Sequence, residues 1–295
     1  MSGPLLSPRA RCPRLQGLPP GRFLTGSSQA TIQGALSTLN PGDVLQFQNG
    51  TYNVSSLQIT RSGTVNNPIY IRGVSRAGVV LSSPGRVLQI LNASHVIIEN
   101  MTLQGSGVDS GTNSSSVGIE FFDGTPNQTR ITVRNVTMNG VDRGIGAFRE
   151  ISEFLAYDNT LNGNNTWTPS LIDTNATWND DGINIPGFGN CAFNNTLKGF
   201  GDTFAYAAHA GGNTLTQGVG IHFYRNEVRN SGDDFAEVDH SHRNNTLYDN
   251  RSHNSMTFIS LDPLYGGPFL ATRNIIINTG RTPFKWNSPN SGQFV

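Results

Sequence analysis

The sequence predicts an all-β fold, a single-stranded parallel β-helix opened by one short helix. Three observations carry that expectation. Glycine is abundant (34 of 295 residues) and Asn and Thr recur throughout, the composition of short strands joined by tight turns. One pattern returns along the chain: alternating apolar residues, then Asn, then Thr or an apolar residue. Its basal period is 24 residues, and a unit of that size buries its apolar face only by stacking on its neighbours.

Residues 1–27 are rich in Pro, Arg and Gly and lack the apolar core of a signal peptide, so a disordered leader is expected there. From Ser28 to Leu39, Ile32, Ala35, Leu36 and Leu39 share one helical face and Ser28 can cap it, which predicts a short amphipathic helix. A turn at Asn40-Pro41-Gly42-Asp43 leads into the repeats. These read HVIIENMTLQG, RITVRNVTMNG, EFLAYDNTLNG, NCAFNNTLKG, HFYRNEVRN, TLYDNRSHN and FLATRNIIIN. Their anchoring residues are Asn100, Asn135, Asn159, Asn195, Asn226, Asn250 and Asn274, spaced 35, 24, 36, 31, 24 and 24 apart, with loops inserted in the longer gaps. Asn tolerates left-handed backbone and its amide can bond the Asn of the next coil, so these residues are expected at a corner, stacked about 4.8 Å apart. Residues 28–295 are read as one domain, which stops at Ser291–Val295 in mid-coil; a truncated chain or an external cap is expected.

Lys+Arg and Asp+Glu both number 20, so no global field draws the chain to nucleic acid or an anionic membrane. No apolar run is long enough for a transmembrane span. Cys12 and Cys191 show no metal-binding spacing and are expected to be unpaired thiols. Asn-X-Ser/Thr triplets, for example at Asn53, Asn113 and Asn175, arise readily in an Asn/Thr-rich repeat and say little about glycosylation.

Charge is sparse (14%) except in Gly232–Asn244, which holds four carboxylates, His240, His242 and Arg243. Aligning coils on the anchoring Asn lays FAEVD (235–239) over FISLD (258–262) and PFKWN (283–287). Ala236, Val238, Ile259, Leu261, Phe284 and Trp286 then face inward. Two outward rows result: Glu237, Ser260 and Lys285, and Asp239, Asp262 and Asn287; Tyr206 is expected to join the first. Glu237 and Lys285 would lie two coils apart, about 10 Å.

The stretches NPGDVLQFQNGTYNVSSLQI, SGTVNNPIYIRG and VLQILNASHVIIENMTLQG resemble the amino-terminal coils of right-handed parallel β-helix proteins of the pectate-lyase-like superfamily. Within it the likeness is to the alginate lyase and chondroitinase B family of polysaccharide lyases. That resemblance implies a right-handed coil, a helix capping its first turn, and action on an acidic polysaccharide by a protein that is secreted, periplasmic or on the cell surface. The family's Glu-x-x-Ser-x-Lys-Ser marker is matched best by Glu237–Arg243, with His242 where the lysine would stand. A second likeness is to polygalacturonase-type hydrolases, carried by Asn179-Asp180-Asp181-Gly182, Gly201-Asp202 and Gly232-Asp233-Asp234; that family's Gly-His-Gly and Arg-x-Lys elements are missing.

β-Elimination needs a group to neutralise the sugar carboxylate, a base and an acid. A calcium ion on Asp233, Asp234, Glu237 or Asp239 would supply the first, since oxygen-rich clusters suit hard cations. Lys285 or His242 would be the base, with Arg243 or Tyr206 assisting, and Asp262, Tyr265 and Asn287 are expected to bind substrate. Hydrolysis would use paired carboxylates instead, Asp202 with Asp234 or Asp239 with Asp262. Trp167, Trp178, Tyr224 and Tyr248 are further candidates to stack on sugars. A β-helix that binds a polysaccharide without cleaving it, as a tailspike or adhesin does, is the third reading.

Overall fold

The computed structural model describes residues 22–108, 116–121, 128–147, 150–165, 180–206 and 218–286. Among them the chain winds as a right-handed parallel β-helix. Ten parallel strands, from Arg22–Leu24 to Phe269–Thr272, form one sheet in which each strand pairs with its counterpart one coil on. The opposite wall is a larger sheet whose last strands, Glu227–Glu237, Arg251–Ser260 and Ile275–Lys285, turn a corner without a break. Upstream the same course is split: Thr196–Phe200 pairs with the first half of Glu227–Glu237, and Phe204–Ala205 with the second. That second half belongs to the face described below.

The opening helix spans Gln29–Ser37, Ser28 accepts a hydrogen bond from Thr31 N (3.3 Å), and Ile32 and Leu36 are buried over the first coil. Arg22–Leu24, inside the expected leader, is a strand paired with Leu45–Phe47, because its alternating pattern extends the first sheet by one rung. Residues 1–21, including Cys12, lie outside the described residues. Cys191 is disulfide-bonded, which corrects the expectation of a free thiol. Its neighbour Ala192 faces the core, so Cys191 stands on the outer sheet face, where another segment can reach its sulfur.

A buried amide column holds the later coils in register. Asn159, Asn195 and Asn226 each donate both backbone N and side-chain Nδ2 to Oδ1 of the Asn one coil on, at 3.0–3.1 Å, and Asn250 does the same to Asn274 at 3.0 Å. The second Nδ2 hydrogen goes to a backbone carbonyl, for example Ala192 O for Asn226. Asn100 and Asn135 are out of phase with this column. They carry the positive φ themselves (59° and 51°), whereas in later coils the preceding residue does: Asp158, Asn194, Arg225, Asp249 and Arg273. Val136 therefore takes the inward place, donating its N to Asn159 Oδ1, and Asn135 bonds Asn100 on the outside. The left-handed corner and the stacked amide are two adjacent positions, which sequence spacing alone had merged.

Candidate active site: a column of carboxylates on one sheet face

The strand register puts residues from distant parts of the chain on neighbouring rungs. Ile145 pairs with Ile183, Ile183 with Phe204, and Phe204 with Ala236. Two residues upstream of each lie Arg143, Asp181, Asp202 and Asp234, on four successive rungs spaced about 4.8 Å apart. Thr257 follows on the next rung. Beside this column runs Gly146, Asn184, Ala205, Glu237, Ser260 and Lys285. The expected stacking of Glu237, Ser260 and Lys285 is thus observed.

Each end of the acidic column is met by a cation. Arg143 Nε lies 3.0 Å from Asp181 Oδ2, which also accepts from Asn184 Nδ2 at 3.2 Å. Lys285 reaches back to Asp234, Nζ to Oδ2 3.5 Å. Asp202, in the middle, accepts from Asp234 N at 3.1 Å and is only 2% exposed. Carboxylate oxygens of Asp181, Asp202 and Glu237 lie within 4.8 Å of one another, as do those of Asp202, Asp233 and Asp234. The pattern along the column is therefore positive, three acids, positive.

The electrostatics follow from that order. Burial drives the Asp202 carboxyl well above the usual range, and Glu237, Asp234, Asp233 and Asp181 push it further. Asp234 is raised by burial and by Asp233, with Lys285 pulling it back. Burial works against the charge on Lys285, yet Asp234, then Asp233 and Asp239, hold it more firmly protonated than an ordinary lysine. Both carboxyls are driven toward the protonated form, and Lys285 opposes this at Asp234 but not among the leading influences on Asp202. A hard cation is the other way to relieve this crowding. All the ligands are oxygens, and Asp181 Oδ1 and Asp234 Oδ1 are buried without a hydrogen-bond partner, which fits such an ion.

Several expected roles move. Tyr206 belongs to the core, fully buried with its hydroxyl donating to Thr246 O (3.1 Å): Ala205, not Tyr206, stands opposite Glu237, and Tyr206 falls on the inward position beside Val238. Asp239 is not in the acidic groups. It accepts from Ser260 Oγ (2.8 Å) and Asp262 N (2.6 Å), and burial, then Glu237, raises it to about 7. His242 and Arg243 sit on the corner turn after the strand, His242 buried against Tyr265 and Arg243 exposed, so neither is placed as the base or its assistant. Phe284 and Trp286 keep their register but are exposed, since no described strand lies over Ile275–Lys285. Tyr224 and Tyr248 are packed in an outer-face stack with Tyr157 and Phe193, rings 4.8–4.9 Å apart, and are unavailable to sugars. Asn287, Trp167 and Trp178 lie outside the described residues. Sequence reasoning had no signal for Arg143; Asp181 was foreshadowed by its 21-residue distance from Asp202.

Among solved structures, carbohydrate-processing proteins are similar to this chain. An alginate lyase from Paenibacillus sp. str. FPU-7 superimposes with a TM-score of 0.47 at 16% identity, over 90% of this chain and 98% of that one. A GH136 lacto-N-biosidase from Eubacterium ramulus gives 0.49 at 11% identity, over 89% and 63% of the two chains. The A-module of a mannuronan C-5 epimerase from Azotobacter vinelandii gives 0.43 at 12%, over 90% and 92%. At these identities the likeness is one of fold. No family model and no curated protein matches the chain. Among the described residues no helix is long and apolar enough to cross a membrane.

Proposed function

We propose that this chain is a glycoside hydrolase acting on an extracellular polysaccharide, with Asp202 and Asp234 as its paired carboxyl groups. The observation that carries this reading is the placement of the cations. Arg143 and Lys285 pair with the outer acids, and Asp202, buried between them without a cation of its own, is the acid most strongly driven to hold a proton. Pairs of carboxyl groups whose surroundings separate their protonation states are how hydrolases divide acid and base roles. Asp202 donates its proton to the departing glycosidic oxygen as the bond to the anomeric carbon breaks. Asp234, whose ionised form Lys285 favours, attacks that carbon, and water later displaces it with Asp202 taking the water's proton. Direct attack is favoured because one oxygen of each carboxyl lies within 4.8 Å of the other, short of the roughly 6.5 to 9.5 Å that leaves room for an activated water between the two groups. Asp233 and Glu237, half-buried at the edge of the column, would hold sugar hydroxyls.

Elimination is the second reading, and the clustered oxygens favour it to the extent that they fit a cation. Asp202 together with Asp181 and Glu237, or with Asp233 and Asp234, would hold the ion, which would supply a counter-charge for a uronate. The base is the weak point, because Lys285 is tied to Asp234 as an ammonium. A polysaccharide panel separates the readings. New reducing ends without an unsaturated, ultraviolet-absorbing product, insensitive to EDTA and lost in Asp202→Asn, are expected. An unsaturated product abolished by EDTA would replace hydrolysis with elimination.

A further inference from the structure

At the corner following Glu237 a second group of side chains is assembled that the acid–base chemistry does not use. Two turns, Val238–His242 and Asp262–Gly266, are clasped together one rung apart. His240 N donates to Pro263 O (2.7 Å), Tyr265 N to Ser241 O (3.0 Å), and Asp262 N to Asp239 Oδ1 (2.6 Å). His242 N is fixed in turn to Gly218 O on the rung before (3.1 Å). The fit is close enough that a Cβ at Gly266 would lie 2.7 Å from His242 O. The clasp brings three rings together: Tyr265 is 5.5 Å from His240 and 5.8 Å from His242, centroid to centroid, tilted against both. His242 is the buried backing, with Nε2 lacking a hydrogen-bond partner, and Ser241 Oγ and Asp262 Oδ1 are likewise unpartnered. His240 and Tyr265 are half-exposed in front.

We propose that His240 and Tyr265, backed by His242 and flanked by Asp262, form a sugar-binding subsite next to the acidic column, and that the sugar it takes is neutral and rich in hydroxyls. This rests on the hydrolytic reading for its catalytic neighbour, and on its own geometry for binding. Half-exposed rings on a rigid backing offer a face for the apolar side of a pyranose, while a few polar atoms at the rim fix its hydroxyls. The subsite is one sugar or so from the chemistry, since Asp239 lies two residues beyond Glu237 along the same strand course, about 7 Å. Charge selects against uronates. Asp239 and Asp262 flank the platform against one exposed cation, Arg243. The column adds Asp181, Asp233, Asp234 and Glu237 against Arg143 and Lys285, with Asp202 held as the neutral acid. His242 adds no positive charge at neutral pH, because burial and Arg243 lower its basicity.

The test is binding, read apart from turnover. The Asp202→Asn protein would be titrated calorimetrically, in EDTA, with laminarin, mannan and galactan oligosaccharides and with alginate and polygalacturonate oligosaccharides. Binding to at least one neutral series is expected, weakened about tenfold or more by Tyr265→Ala in the same background and restored by Tyr265→Phe. Uronates bound in preference to every neutral series, no binding to any of them, or equal affinity of the Tyr265→Ala protein would each overturn the proposal. Should neutral oligosaccharides bind through Tyr265 while the protein with Asp202 intact releases no reducing ends, the hydrolytic reading fails and the subsite stands.

Discussion

Replacing Lys285 by Met probes the charge order of the column most directly. The ammonium lies 3.5 Å from Asp234 Oδ2, and the lysine side chain is 30% exposed against 2% for the aspartate. At an effective dielectric of about 20, unit charges at that distance attract by about 5 kcal/mol, equivalent to some 3 to 4 pH units. Solvent at the lysine end screens part of this, so a shift of about one to three units is expected. The sign is fixed: the cation favours the ionised aspartate, so its loss moves the lower of the two apparent pKa values of the Asp202–Asp234 pair upward. Carbon-13 NMR of aspartate carboxyl groups across a pH series reads this without a substrate. If the lower value stays within about 0.3 units, or falls, Lys285 does not set which acid is ionised, and the assignment of roles collapses.

Further outcomes follow from the same geometry. Asp202→Asn should abolish hydrolysis yet raise the urea midpoint at pH 8 by the equivalent of at least about 1 kcal/mol, because a raised carboxyl stabilises the fold only while protonated. The intact protein should lose stability as pH rises from about 4 through the folded-state values, including about 7 for Asp239, and the difference from Asp202→Asn isolates the Asp202 share from the opposing effect of buried histidines. Asn226→Ala orphans the Asn195 amide N–H and removes the bond to the Ala192 carbonyl, about 1–3 kcal/mol each, so denaturation should show a loss near 4 kcal/mol; Ser37→Ala, which removes one exposed hydrogen bond, should cost less than about 0.5 kcal/mol. Tyr206→Phe should cost about 1 kcal/mol of stability and leave KM unchanged, and a raised KM would return Tyr206 to the binding surface.

Much of this was legible in the residues, for a physical reason. Stacked coils repeat the same local demand, so the chain repeats the same answer, and the row of Glu237, Ser260 and Lys285 could be counted out in advance. Tyr206 was misplaced by one position because parallel strands flip a side chain with every single-residue slip. The phase error at Asn100 and Asn135 has a related origin: Asn suits both the left-handed corner and the inward amide, and composition does not say which of the two it fills. Arg143 was invisible because nothing local distinguishes a buried arginine; only its partner, 38 residues on, explains it. Cys191 was misread because no spacing in the sequence marks its sulfur as bonded.

The place occupied by Arg143, Asp181, Asp202 and Asp234 recurs from rung to rung of that wall, and Thr257 already sits in it one turn further on. Each of these windings offers an equivalent socket, and what the molecule does depends on which sockets hold an acid. A single codon change can lengthen, shorten or shift the reactive strip by a whole turn without touching the scaffold. A ribbon built this way can trade one chemistry for another by refilling its slots, not by inventing a new fold.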